Sequence, residues 1–281
     1  MNKPNKISII GVGLLGGSLA LALKRKRGVR VVGWNHRASS RRKASRVVKV
    51  ARSFDQAVQG ADIILLSSHS ASIAAALRQI LPFLDKQTLV MDVSSVKGNV
   101  VAEALRIPGI EKHFVPCHPM AGKEKSGPSH ADPALYEGRT VFLTPLPKTS
   151  PKLLKRAAQF WKSVGALPLV MDPLGHDRQV ALTSHLPHLL AATLVSLYGR
   201  QQKKTPLLGR AVGSGFRDFT RIASGNPQMW SDIVEMNSRE LRPLLSTFRE
   251  NLAILERNLG KGRPSFWRSF FNNARSVRER L

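Results

Sequence analysis

The stretch KISIIGVGLLGGSLALALK, residues 6 to 24, decides the fold of this chain. KISII is a short apolar run of strand-forming residues that Gly11 ends, and residues 14 to 23 have the pattern of a mostly apolar helix. Between them stands GVGLLG, residues 11 to 16, a G-x-G-x-x-G pattern. Its first glycine allows a tight turn, the second lets a pyrophosphate approach the backbone, and the third permits close helix packing. Because the helix N-terminus attracts negative charge, we predict a strand, turn and helix that bind a dinucleotide.

Further apolar runs of strand length follow, and helical segments rich in Ala, Leu, Gln and Arg separate them. The runs are RVVGW (30–34), ADIILLSS (61–68), TLVMDVSS (88–95) and HFVPC (113–117). Strands that alternate with helices predict a doubly wound, parallel α/β sheet of the Rossmann type. We expect RTVFLTP (139–145) and ALPLVMD (166–172) to be added edge strands, with a helix at residues 152–165 between them.

The pattern changes after Asp172. The long segments beyond it have helical periodicity and no obvious strands: roughly 176–201, 206–223, 227–258 and a piece after Pro264. The Asp172-Pro173 step is a plausible joint between domains. We therefore predict an N-terminal Rossmann domain over residues 1–172 and an all-α domain over residues 173–281.

Positive charge dominates the composition. The chain has 44 Lys and Arg against 18 Asp and Glu, a net charge of +26, and residues 1 to 54 hold fourteen Lys and Arg and no acid. Such a balance favours nucleic acid, an anionic membrane surface, or small phosphate and carboxylate ligands, and charge alone does not choose among them.

Three features bear on the compartment. The single cysteine, Cys117, excludes an internal disulfide and suits a reducing environment. No run reaches the roughly 18 consecutive apolar residues that span a bilayer. The start MNKPNK leads directly into the first strand, without the pattern of a signal peptide. We expect a cytoplasmic protein that does not bind a membrane.

The segment GWNHRASSRRK, residues 33 to 43, bears on the choice of dinucleotide. An NAD site usually has an acid about 20 residues past the glycines, and Asn35 stands there instead. A carboxylate would repel a 2′-phosphate, whereas an arginine fork binds it, so NADP is preferred and NAD is the alternative. The arginines could instead be the exposed face of a helix. The predicted cofactor-binding residues are Gly11, Gly13, Leu14, Leu15, Gly16, Asn35, His36, Arg37, Ser39, Arg41, Ser67 and Ser68.

The residues just after the predicted strands are the candidates for chemistry, because ligands of a Rossmann sheet lie beyond the carboxyl ends of its strands. DVSSVKG supplies Ser94, Ser95 and Lys97, and CHPMAG supplies His118. With an unperturbed pKa of about 6.5, a histidine can be neutral and basic near pH 7. Without further support, His118 would more often be an ordinary turn residue.

Several motifs together resemble the prephenate and arogenate dehydrogenases of tyrosine biosynthesis. They are GVGLLGGS (11–18), DVSSVKG (92–98), HPMAGKEKSG (118–127), SHLPH (184–188) and FRDFTRIASGNPQMW (216–230). The resemblance implies a Rossmann domain, a helical domain that forms a homodimer, and an active site between the two domains. It also implies oxidation of a ring C4 hydroxyl by hydride transfer to a nicotinamide, with loss of the ring carboxylate as carbon dioxide.

The resemblance also implies roles for single residues. His118 is the proton acceptor, Ser95 positions the C4 hydroxyl, and Arg221 binds a substrate carboxylate. The remaining substrate positions are Ser184, His188 and Trp230, which line the pocket, and Asp218, an acid that orients Arg221. No metal is required, and His185 and His188, spaced like a metal pair, have no third ligand at a suitable spacing.

Lys123 departs from the family pattern, which usually has a small hydroxyl residue before the glutamate. Its ammonium either helps to hold a dianionic substrate or pairs with Glu124. Prephenate is slightly favoured over arogenate because Lys123 and the positive charge suit the more negative molecule.

One rival function is that of another two-domain Rossmann dehydrogenase, acting on a β-hydroxyacid or an imine. Those usually carry a catalytic lysine on the long helix, and the helix at 176–201 has none before its far end. The other rival is a cofactor-binding protein whose basic face binds nucleic acid, which is the less favoured partner.

Replacing Arg37 and Arg41 with alanine should raise the apparent constant for NADP much more than that for NAD, because only NADP carries the 2′-phosphate. Steady-state kinetics with each cofactor measure the effect. An equal effect on both cofactors would rule out the assignment.

Overall fold

A computed structural model describes residues 5–280, and its first part is a six-stranded sheet. The strands are β1 (Lys6–Ile10), β2 (Arg30–Trp34), β3 (Lys49–Val50), β4 (Ile63–Leu66), β5 (Leu89–Asp92) and β6 (Phe114–Val115). Their order is β3-β2-β1-β4-β5-β6, and every neighbouring pair is parallel. This is the strand order of a Rossmann sheet. The strands before β4 are added on one side of β1 and those from β4 onward on the other, so the switch point lies between β1 and β4. The predicted fold class is confirmed.

Helices cover both faces of this sheet, as its sequence requires. They are α1 (Leu14–Lys24), α2 (Ala38–Ala44), α3 (Phe54–Val58), α4 (Ile73–Ile80) and α5 (Gly98–Ala104). Successive side chains of a strand point to opposite faces, so Ile63 and Leu65 of β4 enter one apolar core while Ile64 and Leu66 enter the other. Strands buried on both faces explain the continuous apolar runs.

A second, three-stranded sheet contains β7 (Cys117–Pro119), β8 (Thr140–Leu143) and β9 (Leu167–Val170), with α6 (Pro151–Ser163) between β8 and β9. The expectation that HFVPC is a single strand of the central sheet, and that residues 139–145 and 166–172 are its edge strands, is wrong. Pro116 has no N–H to donate to the ladder, so β6 ends at Val115. The Pro116 carbonyl instead accepts from Thr144 N at 2.9 Å. The chain therefore leaves the central sheet and pairs antiparallel with β8, which places His118 in the middle of β7.

The remainder of the chain is helical, as predicted. Its helices are α7 (Pro173–Val180), α8 (Leu186–Gln202), α9 (Ser214–Thr220), α10 (Pro227–Met236), α11 (Ser238–Asn258) and α12 (Pro264–Arg278). The Asp172 side chain caps α7 by accepting from Gly175 N at 2.7 Å. A π-helical turn, Ala181–His185, joins α7 to α8, so Pro173–Gln202 is one continuous helix. By length and composition this helix could cross a membrane, a test that core helices also pass, and 28% of its most apolar window is buried within the chain.

A buried ion pair fixes the chain where β5 leaves the sheet. Lys97 Nζ lies 2.5 Å from Asp92 Oδ2, and both side chains are fully buried. The ammonium also donates to Ser94 Oγ at 2.8 Å and to the Cys117 carbonyl at 2.7 Å, so each of its three protons has an acceptor. Asp92 Oδ1 accepts from Cys117 N at 2.8 Å. The pair therefore joins the turn after β5 to β7, the strand that carries His118.

Lys97→Met should lower the free energy of unfolding by about 3–5 kcal/mol, because it leaves the buried Asp92 carboxylate without a counter-charge. Chemical denaturation at neutral pH measures the loss. Lys86→Met removes an exposed ammonium and is the matched control, with an expected change within about 0.5 kcal/mol. A loss for Lys97→Met no larger than that of the control would show that the pair does not hold the turn.

Candidate active site

The glycine turn between β1 and α1 lies against the carboxyl end of β4. Gly11 has φ +98°, and a Cβ placed on it would lie 2.3 Å from the Ser67 carbonyl oxygen. A Cβ on Gly16 would lie 2.4 Å from the Gly11 carbonyl oxygen. Only glycine fits at these two positions, and the turn leads into the N-terminus of α1, which Gly13 precedes. The turn therefore has the close-packed form that admits a pyrophosphate.

Asn35 and Arg41 support this turn with their side chains. Val12 N donates to Asn35 Oδ1 at 2.5 Å, and Asn35 Nδ2 donates to Val12 O at 3.3 Å. Arg41 Nη1 donates to the carbonyls of Asn35 and His36 at 2.9 and 2.7 Å. Arg37 and Ser39, by contrast, are exposed at the start of α2. Of the two predicted arginines, Arg37 is the one on the surface, while Arg41 already binds backbone carbonyls.

His118 lies in a chain of buried polar side chains that crosses from β7 to α7. Its Nδ1 atom lies 2.8 Å from His176 Nε2, and His176 Nδ1 lies 2.7 Å from Asp177 Oδ1. The exposed fractions are 8% for His118, 0% for His176 and 4% for Asp177. The arrangement has the order of a histidine, a second histidine and a carboxylate, and it is closed to bulk water along most of its length.

Asp177 connects this row of buried polar side chains to both parts of the protein. Its carboxylate accepts from Lys97 N at 2.8 Å and from Gly98 N at 2.7 Å, at the start of α5. Its backbone carbonyl accepts from Asn237 Nδ2 at 2.9 Å, and the same amide lies 3.0 Å from His185 Nδ1. The sequence motifs did not predict roles for His176, Asp177 and Asn237; a His-Asp pair near the start of the helix that follows Asp172 was the available signal.

Three histidines of this region, His118, His185 and His188, are neutral near pH 7 because their pKa values are lowered. Burial first, and then the nearby His176, Lys97 and His185, hold the pKa of His118 well below 6.5. Burial lowers the pKa of His185 to about 4, against the opposing effect of Asp177. Burial also lowers the pKa of His188. A neutral His118 has a lone pair and can accept a proton.

Ser184, His188 and Trp230 come together beside the π-helical turn. The rings of His188 and Trp230 stack with centroids 3.5 Å apart at an angle of 26°. His188 Nδ1 lies 2.9 Å from the Ser184 carbonyl oxygen, and the Trp230 ring also faces His185 edge-on at 6.1 Å. Ser95 lies half-buried in the turn that the Asp92–Lys97 pair holds. Within residues 5–280, no group of three or more His, Cys, Asp or Glu side chains could hold a metal ion.

The charged residues of the loop after β7 pair differently from the expectation. Lys123 Nζ lies 2.9 Å from Asp132 Oδ2, so the alternative in which Lys123 pairs with Glu124 is wrong. Glu124 instead forms an ion pair with Arg221, which follows α9. Asp218 is exposed on α9, and in the part of the chain that the structure describes it makes no ion pair. The acid that holds Arg221 is therefore Glu124, which approaches from the other part of the protein.

Comparison with known proteins agrees with this architecture. Residues 19–169 match the family model described as prephenate dehydrogenase, nucleotide-binding domain, and residues 172–278 match prephenate dehydrogenase, dimerization domain. The chain is 31% identical to the cyclohexadienyl dehydrogenase of Zymomonas mobilis, over 97% of this chain and 94% of that protein. It is 33% identical to the prephenate dehydrogenase of Bacillus subtilis, over 84% of this chain and 65% of that longer protein.

Two solved structures have the same fold over nearly the whole chain. Prephenate dehydrogenase from Aquifex aeolicus, in complex with hydroxyphenyl propionate and NAD+, superposes with a TM-score of 0.88 at 30% identity and covers 99% of both chains. Arogenate dehydrogenase from Synechocystis gives 0.81 at 28% identity, over 98% of this chain and 99% of that one. With both family models matched in order over most of its length, the chain belongs to the prephenate dehydrogenase family.

Proposed function

We propose that this enzyme oxidises prephenate, or alternatively arogenate, by hydride transfer from the ring C4 carbon to a nicotinamide cofactor. The ring carboxylate leaves as carbon dioxide, and the product is 4-hydroxyphenylpyruvate or, from arogenate, tyrosine. The observation that carries the proposal is the buried, neutral His118 beside the turn of Ser95, in a chain of this family. A base at this position can take the C4 hydroxyl proton as the hydride leaves.

The chain contributes placement and electrostatics to this reaction. The glycine turn would hold the nicotinamide cofactor, which would supply the hydride acceptor. His118 accepts the hydroxyl proton, and Ser95 positions the hydroxyl against it. Formation of the aromatic ring drives loss of the carboxylate, so the residues need only orient the ring and keep the base neutral.

We assign substrate binding to the residues around the π-helical turn and the loop after β7. Arg221 offers a planar fork to a carboxylate, and a bound carboxylate would share or replace its contact with Glu124. Ser184, His188 and Trp230 form the wall of the pocket. Lys123 and Asp218 are the other charged candidates. We favour prephenate because it carries two carboxylates and no ammonium, which suits a strongly positive protein.

We propose NADP as the preferred cofactor, with NAD as the alternative. Position 35 carries no carboxylate to repel a 2′-phosphate, and Arg37 is exposed at the start of α2. Because Arg41 also supports the backbone, Arg37→Ala alone is the sharper form of the arginine test, and Arg42→Ala removes an exposed neighbouring guanidinium as its control. The relative from Aquifex was solved with NAD+, so both cofactors belong in every assay.

The activity test is an assay of prephenate and arogenate, each with NAD and NADP, that follows reduced cofactor by absorbance. Wild-type enzyme should turn over at least one combination. Its kcat/KM should stay level down to pH 6.5 and fall only below it, because activity needs neutral His118 and the pKa of that residue is lowered.

His118→Asn should reduce kcat by about 10² or more without weakening cofactor binding.

The matched control is His113→Asn. His113 is half-buried in the same domain, and its Nδ1 atom bonds the Thr88 carbonyl outside the site at 3.0 Å, so its replacement should leave kcat unchanged. Near-normal turnover by His118→Asn would remove that residue from its role. If no combination of substrate and cofactor is turned over, and duplex DNA binds in a salt-dependent way, the nucleic-acid rival would stand instead.

We propose that residues 1–172 bind the cofactor and that residues 173–281 pair two copies of the chain in the cytoplasm. The second segment matches a dimerization domain, and much of the apolar helix Pro173–Gln202 is uncovered within one chain. Apolar side chains are exposed on the other helices as well, namely Leu245, Leu252, Ile254, Phe270, Phe271 and Val277. A second copy would remove them from water.

In a cleared cell extract, the enzyme should stay in the supernatant and sediment with twice the 30.9 kDa mass of one chain. Pairing should be lost in Phe271→Glu, which places a charge on the exposed apolar surface, and retained in Lys261→Glu, an exposed control. A monomeric wild-type enzyme, or one that pellets with membranes, would contradict the proposal.

A further inference from the structure

We infer that His176 and Asp177 are positioning residues that decide which ring nitrogen of His118 is free to accept a proton. The inference rests on the proposed function, in which His118 is the base. It adds two residues from α7 to a site whose base lies on β7, and so links the reaction to the docking of the helical region on the nucleotide-binding region.

The Asp177 carboxylate fixes the proton of the neighbouring histidine ring. Oδ1 faces the N–H of Lys97 at 2.8 Å, and Oδ2 faces the N–H of Gly98 at 2.7 Å. A backbone N–H can only donate, so each carboxylate oxygen accepts one bond from the chain, and the carboxylate has only acceptor sites left to offer His176. His176 Nδ1, 2.7 Å from Oδ1, must therefore donate, and the proton of that ring is on Nδ1.

The ring of His176 in turn fixes the proton of His118. In the neutral form of the His176 ring, which carries one proton, a proton on Nδ1 leaves Nε2 as an acceptor. His118 Nδ1 lies 2.8 Å from it and must donate, which leaves the lone pair of His118 on Nε2. The opposite tautomer would place two lone pairs against each other inside a buried contact.

The consequence is that α7 supplies the orientation of a base that it does not carry. His176 also packs edge-on against Phe142 of β8, with ring centroids 5.2 Å apart, which holds its ring plane. The Asp177 carbonyl is fixed in turn by Asn237, at the boundary of α10 and α11. The tautomer of His118 therefore depends on contacts that exist only when the two regions are packed together.

The test compares His176→Gln with His176→Leu, two replacements of similar volume. The amide oxygen of glutamine can accept near the place of Nε2, whereas leucine offers no acceptor. We expect His176→Leu to lose about 10- to 100-fold in kcat, with little change in the KM for the cofactor. His176→Gln should recover at least about 10-fold of that loss. His113→Leu is the control for loss of a histidine elsewhere in the fold, and it should keep wild-type kcat.

The tautomer itself is read from the ¹⁵N chemical shifts of the His118 ring, a measurement that needs no turnover. Wild-type and His176→Gln enzymes should carry the proton on Nδ1, and His176→Leu should show a mixture or the opposite tautomer. Equal loss of kcat in both variants, no loss in either, or wild-type His118 protonated on Nε2 would each overturn the inference. Failure of the wild type to turn over any substrate would instead count against the proposed function, and the ring shifts would still decide the tautomer.

Discussion

The buried ion pair between Asp92 and Lys97 is the interaction on which the rest of the site depends. The Lys97 ammonium donates one hydrogen bond each to Asp92, Ser94 and the Cys117 carbonyl. The backbone N–H of the same lysine donates to the Asp177 carboxylate. One residue thus joins the turn after β5, the strand that carries His118 and the first helix of the C-terminal part. The ends of the two sheets and the helical region meet at this point, so an error in its geometry would move all of them together.

Positive charge has two effects in this protein. Over the whole surface, a net charge of +26 attracts a dinucleotide and an anionic substrate and raises the rate of encounter. Inside the site, burial first, and then His176, Lys97 and His185, lower the pKa of His118 and keep it neutral. In the proposed mechanism, positive charge would therefore favour binding of the substrate and also help to keep the proposed base, His118, unprotonated. The contacts of Arg221 with Glu124 and of Lys123 with Asp132 offset part of this charge near the loop after β7.

Local patterns predicted the Rossmann sheet, the glycine turn and the helical C-terminal region because each depends on the periodicity of adjacent residues. They did not predict the second sheet, since the departure of the chain at Pro116 becomes clear only when the partner Thr144, 28 residues later, is known. The contact of His118 with His176 joins residues 58 apart, and Arg221 pairs with Glu124 in a distant loop rather than with the nearby Asp218. Pairings of this kind are set by the packing of domains, which no short motif encodes.

The π-helical turn Ala181–His185 has a consequence for how this family can change. Such a turn holds one residue more than an α-helical turn, and each residue added to a helix rotates the rest of that helix by about 100°. His176 lies before the turn and His188 after it, as does the apolar surface of α8. Deletion of one residue here would rotate α8 relative to α7 and displace His188 and the uncovered apolar face, while the side chains outside this segment stayed the same. The number of residues in this segment therefore sets the direction in which the side chains of α8 point relative to those of α7.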